Sequence, residues 1–361
     1  MYRKLTTIEI MRLESQNCSA DDWQNIEVVS DFDAQFVQNA HFSGDIRLGK
    51  FDETFFLAGG VPKKAGIYHA TLHNCTVGND VLIENVHNYI ANYTIDNQVI
   101  IQNVDSIYTD DNSTFGNGTE VAVLDETGSK TVKINNLLSS HLAYLLVMYR
   151  RKTQLIKQIN ALIDNYIAKK TSNQGYIGER SVIRNTGLIR NVKIGDYAVV
   201  KGATRLENGT LNSNQSAPVH IGYNVIAEDF IVASGAKIED GVQLTRCFVG
   251  QACHLGKAFT AVDSLFFANC HFENGEACAV FAGPYTVSHH KSTLLIGGMF
   301  SFFNAGSGTN QSNHAYKLGP MHQGVLERGC KTSSDAYLLF PAQTGAFSFI
   351  MGRHYRHSNT S

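Results

Sequence analysis

The chain has 361 residues, enough for one elongated domain or two ordinary ones. Its 30 basic and 32 acidic residues nearly cancel, so charge gives no case for a nucleic-acid or membrane partner. No apolar run approaches the ~20 residues a bilayer span requires. Seven cysteines, several at positions expected in a core, argue against a disulfide framework and for a reducing cytoplasm.

In chain order, the charged N-terminus reads as a helix over 7–16, not a signal peptide, with Thr6 and Glu9 as a capping box. A second short helix is expected near 20–26, with Ser19 as its N-cap and Trp23 packing inward; residues 1–35 then form an N-terminal helical cap. From residue 36 a six-residue spacing begins. It runs through Phe36, Phe42 and Leu48, then Val77, Ile83, Tyr89, Ile95 and Ile101. Six residues make one short strand and its turn, and three such faces make one coil. This first β segment occupies 36–136. It includes LAGGVPKK (57–64), read as a corner loop although it faintly resembles the glycine-rich loop of sugar nucleotidyltransferases. It also includes a loop and hairpin over 110–134, turning at Glu126, Thr127 and Gly128.

Residues 137–172 carry one long amphipathic pattern with no Pro or Gly over 137–170. A helix of about 34 residues would be ~50 Å long and cannot fit inside a coil. It is expected on the outside, covering a flank or reaching a partner. The second β segment, 173–275, repeats at 17 residues. Gly178 and Gly195 follow Ile177 and Ile194. His220, Lys237, His254 and His271 precede Ile221, Ile238, Leu255 and Phe272. Alternation along a strand turns Cys253 and Cys270 inward and His254 and His271 outward. A polar loop, Leu206 to Ala217, is expected to interrupt this segment. After Gly275 the spacing fades, and 276–361 reads as a β-rich region. It stops at GRHYRHSNTS without a polar cap, and is expected to be truncated or capped by a partner.

The [small]-x-[aliphatic]-[Gly/Glu/Asp] hexads over roughly 36–108 and 177–275 resemble those of the hexapeptide-repeat, left-handed parallel β-helix proteins, best known as acyltransferases. The fold class expected is therefore mainly β: a left-handed parallel β-helix with an N-terminal helical cap and a long inserted helix. The resemblance implies a trimer with sites between subunits. It also implies acyl transfer from a CoA thioester, such as acetyl-CoA, to a sugar or nucleotide sugar, with a histidine as general base. His254, His271 and His290 are the candidate bases, because a reference pKa near 6.5 suits that work.

Acceptor binding is expected from His220, Lys237, His289, Asn304, Asn310, Asn313 and His314. The Gly- and Asn-rich stretch 304–319 can present amides to a sugar or phosphate. His322, His354 and His357 fall in the same region. No cofactor is expected to stay bound, and no metal ligands are assigned. Two alternatives remain open: a non-catalytic scaffold or carbohydrate-binding protein, and a metal-dependent enzyme like the gamma-class carbonic anhydrases. That class draws two zinc ligands from an H-x-x-x-x-H spacing, and this chain has no such pair.

Overall fold

The computed structural model describes residues 2–128, 131–312, 323–356 and 358–360. The fold is mainly β. Among the described residues, thirty-two strands join in one sheet. Its strands pair parallel, except Tyr2–Lys4, which runs antiparallel to Ile26–Val29. Three α-helices lie among the described residues: α1 (Thr7–Ser15), α2 (Ser140–Met148) and α3 (Thr153–Lys170).

The pairing resolves into three parallel ladders. In the first, Ile83 pairs with Ile101, Ile101 with Ile183, and Ile238 with Leu255. The second takes Ile90 to Ile107, Ile189 and Leu206. The third takes Val77 to Ile95, Ile177, Ile194 and Leu211. Each inward residue is buried against the one above and below, so a single core cluster runs from Leu13 to Ile350. Burial of these repeated aliphatic side chains, worth roughly 1.5–3 kcal/mol each, is the main stabilising term. Corners between ladders need left-handed backbone, and asparagine accepts it because its short amide bonds locally. Asn85, Asn103 and Asn185 all have positive φ, and their side chains bond in a row at 3.2 and 3.1 Å.

The expected first helix is present, with the Thr6–Glu9 capping box closed in both directions. The second is not a helix capped by Ser19. Ser19–Ala20 is a strand paired with His41–Phe42, and Asp22 caps a single 3-10 turn, Trp23–Asn25. Trp23 is half-buried against the core, as expected. Tyr89 departs from the six-residue spacing. An extra residue bulges between Val86 and Tyr89, so Ile90 turns inward and Tyr89 faces out. The polar segment from Leu206 does not begin as a loop: Arg205–Leu211 is a strand of the second and third ladders. The ladders do not fade after Gly275 either. They continue through Leu294–Ile296, Gly324–Leu326 and Ala342–Thr344 to Ser358–Asn359.

Residues 109–174 leave the ladders as one excursion, closed where Ser113 and Ser172 exchange backbone hydrogen bonds of 2.9 and 3.0 Å. It holds the expected hairpin, with Val121 opposite Val132. The single long helix is two helices. The chain breaks at Tyr149–Lys152, where Arg150 turns in and donates to the Val123 carbonyl at 2.8 Å. The excursion lies against one flank. Val121, Val132, Leu138, Leu146 and Val147 pack on Ile231, Phe248, Leu265 and Phe281. Those four stand beside inward residues of the third ladder, so its strands there are covered on both sides and read as continuous apolar runs.

Candidate functional site

The first ladder presents its outer face to solvent from Lys201 to His289. Leu255 and Phe272 point into the core, so their chain neighbours must point out. The register stacks His220 on Lys237, Lys237 on His254, and His254 on His271. The His254 and His271 rings stack at 4.6 Å with 24° between planes. Val287 follows His271 in register, and Asn304 pairs in turn with Val287, so Asn304 extends the same row, exposed.

A second outward row stands two residues further along each strand. It reads Lys201, Gly222, Glu239, Gly256, Glu273, His289, and its carboxylates set the chemistry. Glu239 lies 3.5 Å from His254 Nε2, and Glu273 lies 3.3 Å from His271 Nε2. Glu273 also accepts from Lys257. That hydrogen bond, then the one from His271, holds its carboxyl below the usual range. Gly256 leaves a gap between the two carboxylates, over which the His254 ring leans; a Cβ on Gly256 would meet His254 Nε2 at 3.6 Å.

His289 packs edge-on against His271, with centroids 4.3 Å apart. Burial, then the neighbouring His271, lowers the pKa of His289. Burial and Lys237 lower that of His220. One ligand atom from each of His254, His271 and Glu273 falls within 4.8 Å of the other two.

The structure thus gathers His254, His271 and His289 on one surface, with Lys237 and His220 along the same row. His290 is exposed beside His289, with ring centroids 6.4 Å apart. Asn310 is not on this face: it belongs to the second ladder, between Leu294 and Tyr337. Asn313 and His314, with His322 and His357, lie outside the described residues. His354 is exposed on the second ladder. Glu239 and Glu273 are the residues that reading the sequence missed. The signal was the 17-residue series Gly222, Glu239, Gly256, Glu273, which reads as turn residues but faces outward. A polar cleft of about 460 Å³, lined by Glu27, Arg47, Asn74, Asn92 and Gln174, lies elsewhere, on the third ladder, and includes none of the expected residues.

A family model described as a domain of unknown function, DUF4954, matches residues 2–361. An uncharacterized protein of Treponema pallidum (strain Nichols) is 27% identical over 368 residues, covering 98% of this chain and 50% of that protein. The chain therefore spans about half the length of the curated relative it matches.

Proposed function

The chain belongs to the DUF4954 family, and we propose that it is an acyltransferase in which His271, held by Glu273, is the general base. In this reading the three ladders wrap as a left-handed parallel β-helix. The donor is a CoA thioester such as acetyl-CoA, and the acceptor is a hydroxyl or amine of a sugar or nucleotide sugar. The pairing of His271 Nε2 with Glu273 at 3.3 Å carries the reading. A carboxylate that accepts from Nε2–H fixes the tautomer and leaves the Nδ1 lone pair free.

Nδ1 takes the acceptor proton as its oxygen or nitrogen attacks the thioester carbonyl. The tetrahedral adduct then collapses, the C–S bond breaks, and the imidazolium returns its proton to the leaving thiolate. His289 packs against the ring edge and limits its rotation. Lys237 and Asn304, on the same row, hold the acceptor. A cytoplasmic location suits the free thiols. Sites shared between subunits of a trimer follow from the same resemblance.

The test is thioester consumption with a panel of sugar and nucleotide-sugar acceptors. His271→Ala should lower kcat by ~100-fold or more, and Glu273→Gln by a smaller factor. Full activity in His271→Ala overturns the assignment. The open face supports a second reading, a non-catalytic carbohydrate-binding surface, since the side chains of His254 and His271 are 39% and 33% exposed. Sugar binding without thioester turnover would favour it.

A further inference from the structure

We infer that His254, His271 and Glu273 form a binding site for a divalent transition-metal ion, zinc foremost. The inference stands independently of the transferase reading, although both use His271.

The geometry of the donors carries it. A tetrahedral zinc ion with bonds of about 2.0–2.1 Å keeps its donor atoms roughly 3.3 Å apart. His271 Nε2 and Glu273 Oε1 already stand 3.3 Å apart. The ligand atom of His254 lies within 4.8 Å of both, so a turn of one half-exposed side chain completes the set. Glu239, 3.5 Å from His254 Nε2, is within reach as a fourth donor.

Space is provided for the ion. In the row Glu239, Gly256, Glu273, the middle position has no side chain. A methyl there would touch His254 Nε2 at 3.6 Å, and anything larger would fill the gap. The donors also match in kind. Imidazole nitrogen with carboxylate oxygen suits zinc, cobalt and nickel, and two carboxylates offset the ion's charge. Lys257 holds the other oxygen of Glu273, leaving Oε1 for the ion while fixing the carboxylate's orientation.

Binding through His271 Nε2 places the ring proton on Nδ1, so the ion and an acyl acceptor compete for this residue.

The experiment is a titration of the full chain, stripped with EDTA and dialysed, with zinc by calorimetry and with cobalt by its visible absorption. The expected result is about one ion per chain, with cobalt bands of tetrahedral intensity. His254→Ala and Glu273→Gln should each weaken binding about tenfold or more, while His41→Ala, at a separate half-buried histidine, should not. Circular dichroism checks that each variant is folded. No binding at millimolar metal overturns the inference, as does binding unchanged in both site variants. Because the readout is binding and not turnover, a failed metal site leaves the transferase reading to its own assay, and the reverse.

Discussion

The Tyr93 hydroxyl donates to the Val192 carbonyl at 2.7 Å and accepts from the Val192 amide at 3.2 Å. Tyr93 pairs in register with Gly175, and Val192 lies one step beyond, so the phenol reaches past a whole rung of the third ladder. It can do so because Gly175 has no side chain; a Cβ there would lie 2.4 Å from the ring. Both partners are fully buried, and burial pushes the phenol pKa up. Tyr93→Phe should therefore strand two polar groups of Val192 and cost about 1–3 kcal/mol. Urea unfolding should show a lower midpoint at unchanged slope; an unmoved midpoint would mean the hydroxyl contributes nothing.

The same exchange of size recurs at Gly209 and Phe230, partners in the third ladder. A Cβ on Gly209 would sit 2.2 Å from the Phe230 ring, which is fully buried. Gly209→Ala should cost about 1–3 kcal/mol through overpacking. Combining it with Phe230→Leu should recover part of that loss, since the two changes are coupled. Strictly additive losses in thermal unfolding would refute the packing argument.

Acid should loosen the N-terminal helix through Glu9. Its hydrogen bonds to Arg3, at 2.7 and 2.9 Å, followed by those from Thr6, hold its carboxyl at about 2. A depressed folded pKa contributes stability above the unfolded pKa, near 4.5, and loses it as pH falls through about 2. Solvent around this partly exposed pair reduces the size of the effect. Wild type should therefore be more stable than Glu9→Gln at neutral pH, with the gap in Tm closing as pH approaches about 2. A gap independent of pH would remove Glu9 as the titrating group.

The thiols should be inert in the folded chain. Burial pushes Cys75 and Cys247 up to about 12 and Cys278 to about 11. At pH 8 a thiol of pKa 12 is thiolate in about one molecule in 10⁴, and the thiolate is the reactive form. A colorimetric disulfide reagent should titrate few of the seven cysteines until urea is added. Rapid labelling of all seven in the native protein would contradict this burial.

Glu273 separates two accounts of the histidine face. Glu273→Gln keeps the shape and removes the charge. Transferase activity should fall with unchanged acceptor KM if Glu273 orients His271, because acceptor contacts remain. A rise in KM alone would move Glu273 from orienting the base to binding the acceptor.

The first ladder and its histidines were legible because each rung repeats the last at 17 residues, so one correct strand fixes its neighbours. Tyr89 was misplaced because a single bulged residue shifts everything after it, and a bulge leaves no local mark. Tyr93 and Phe230 break the rule of a small residue at their position. The compensation sits one rung away, at Gly175 and Gly209, where only stacking reveals it. The helix break at Tyr149–Lys152 was hidden by an apolar pattern that continues across it; the cause is Arg150, bonded to a hairpin carbonyl. Glu239 and Glu273 were visible as letters, but their outward aim follows only once Leu255 and Phe272 are known to face in.

The excursion pinned by Ser113 and Ser172 also sets a timetable for folding. Elsewhere a strand meets its parallel partner after 16 to 30 residues, and Ile183 meets Val200 after 17. Ile101 must wait for Ile183, 82 positions later. By loop-closure entropy that pairing costs about 1.4 kcal/mol more to start than the one between Ile183 and Val200. During synthesis the rungs up to Tyr108 therefore stand with one edge unpaired while the hairpin and both helices emerge. The Ser113–Ser172 clasp is the step that ends this delay, since it brings Gly175 alongside Tyr93 and lets the stacking resume.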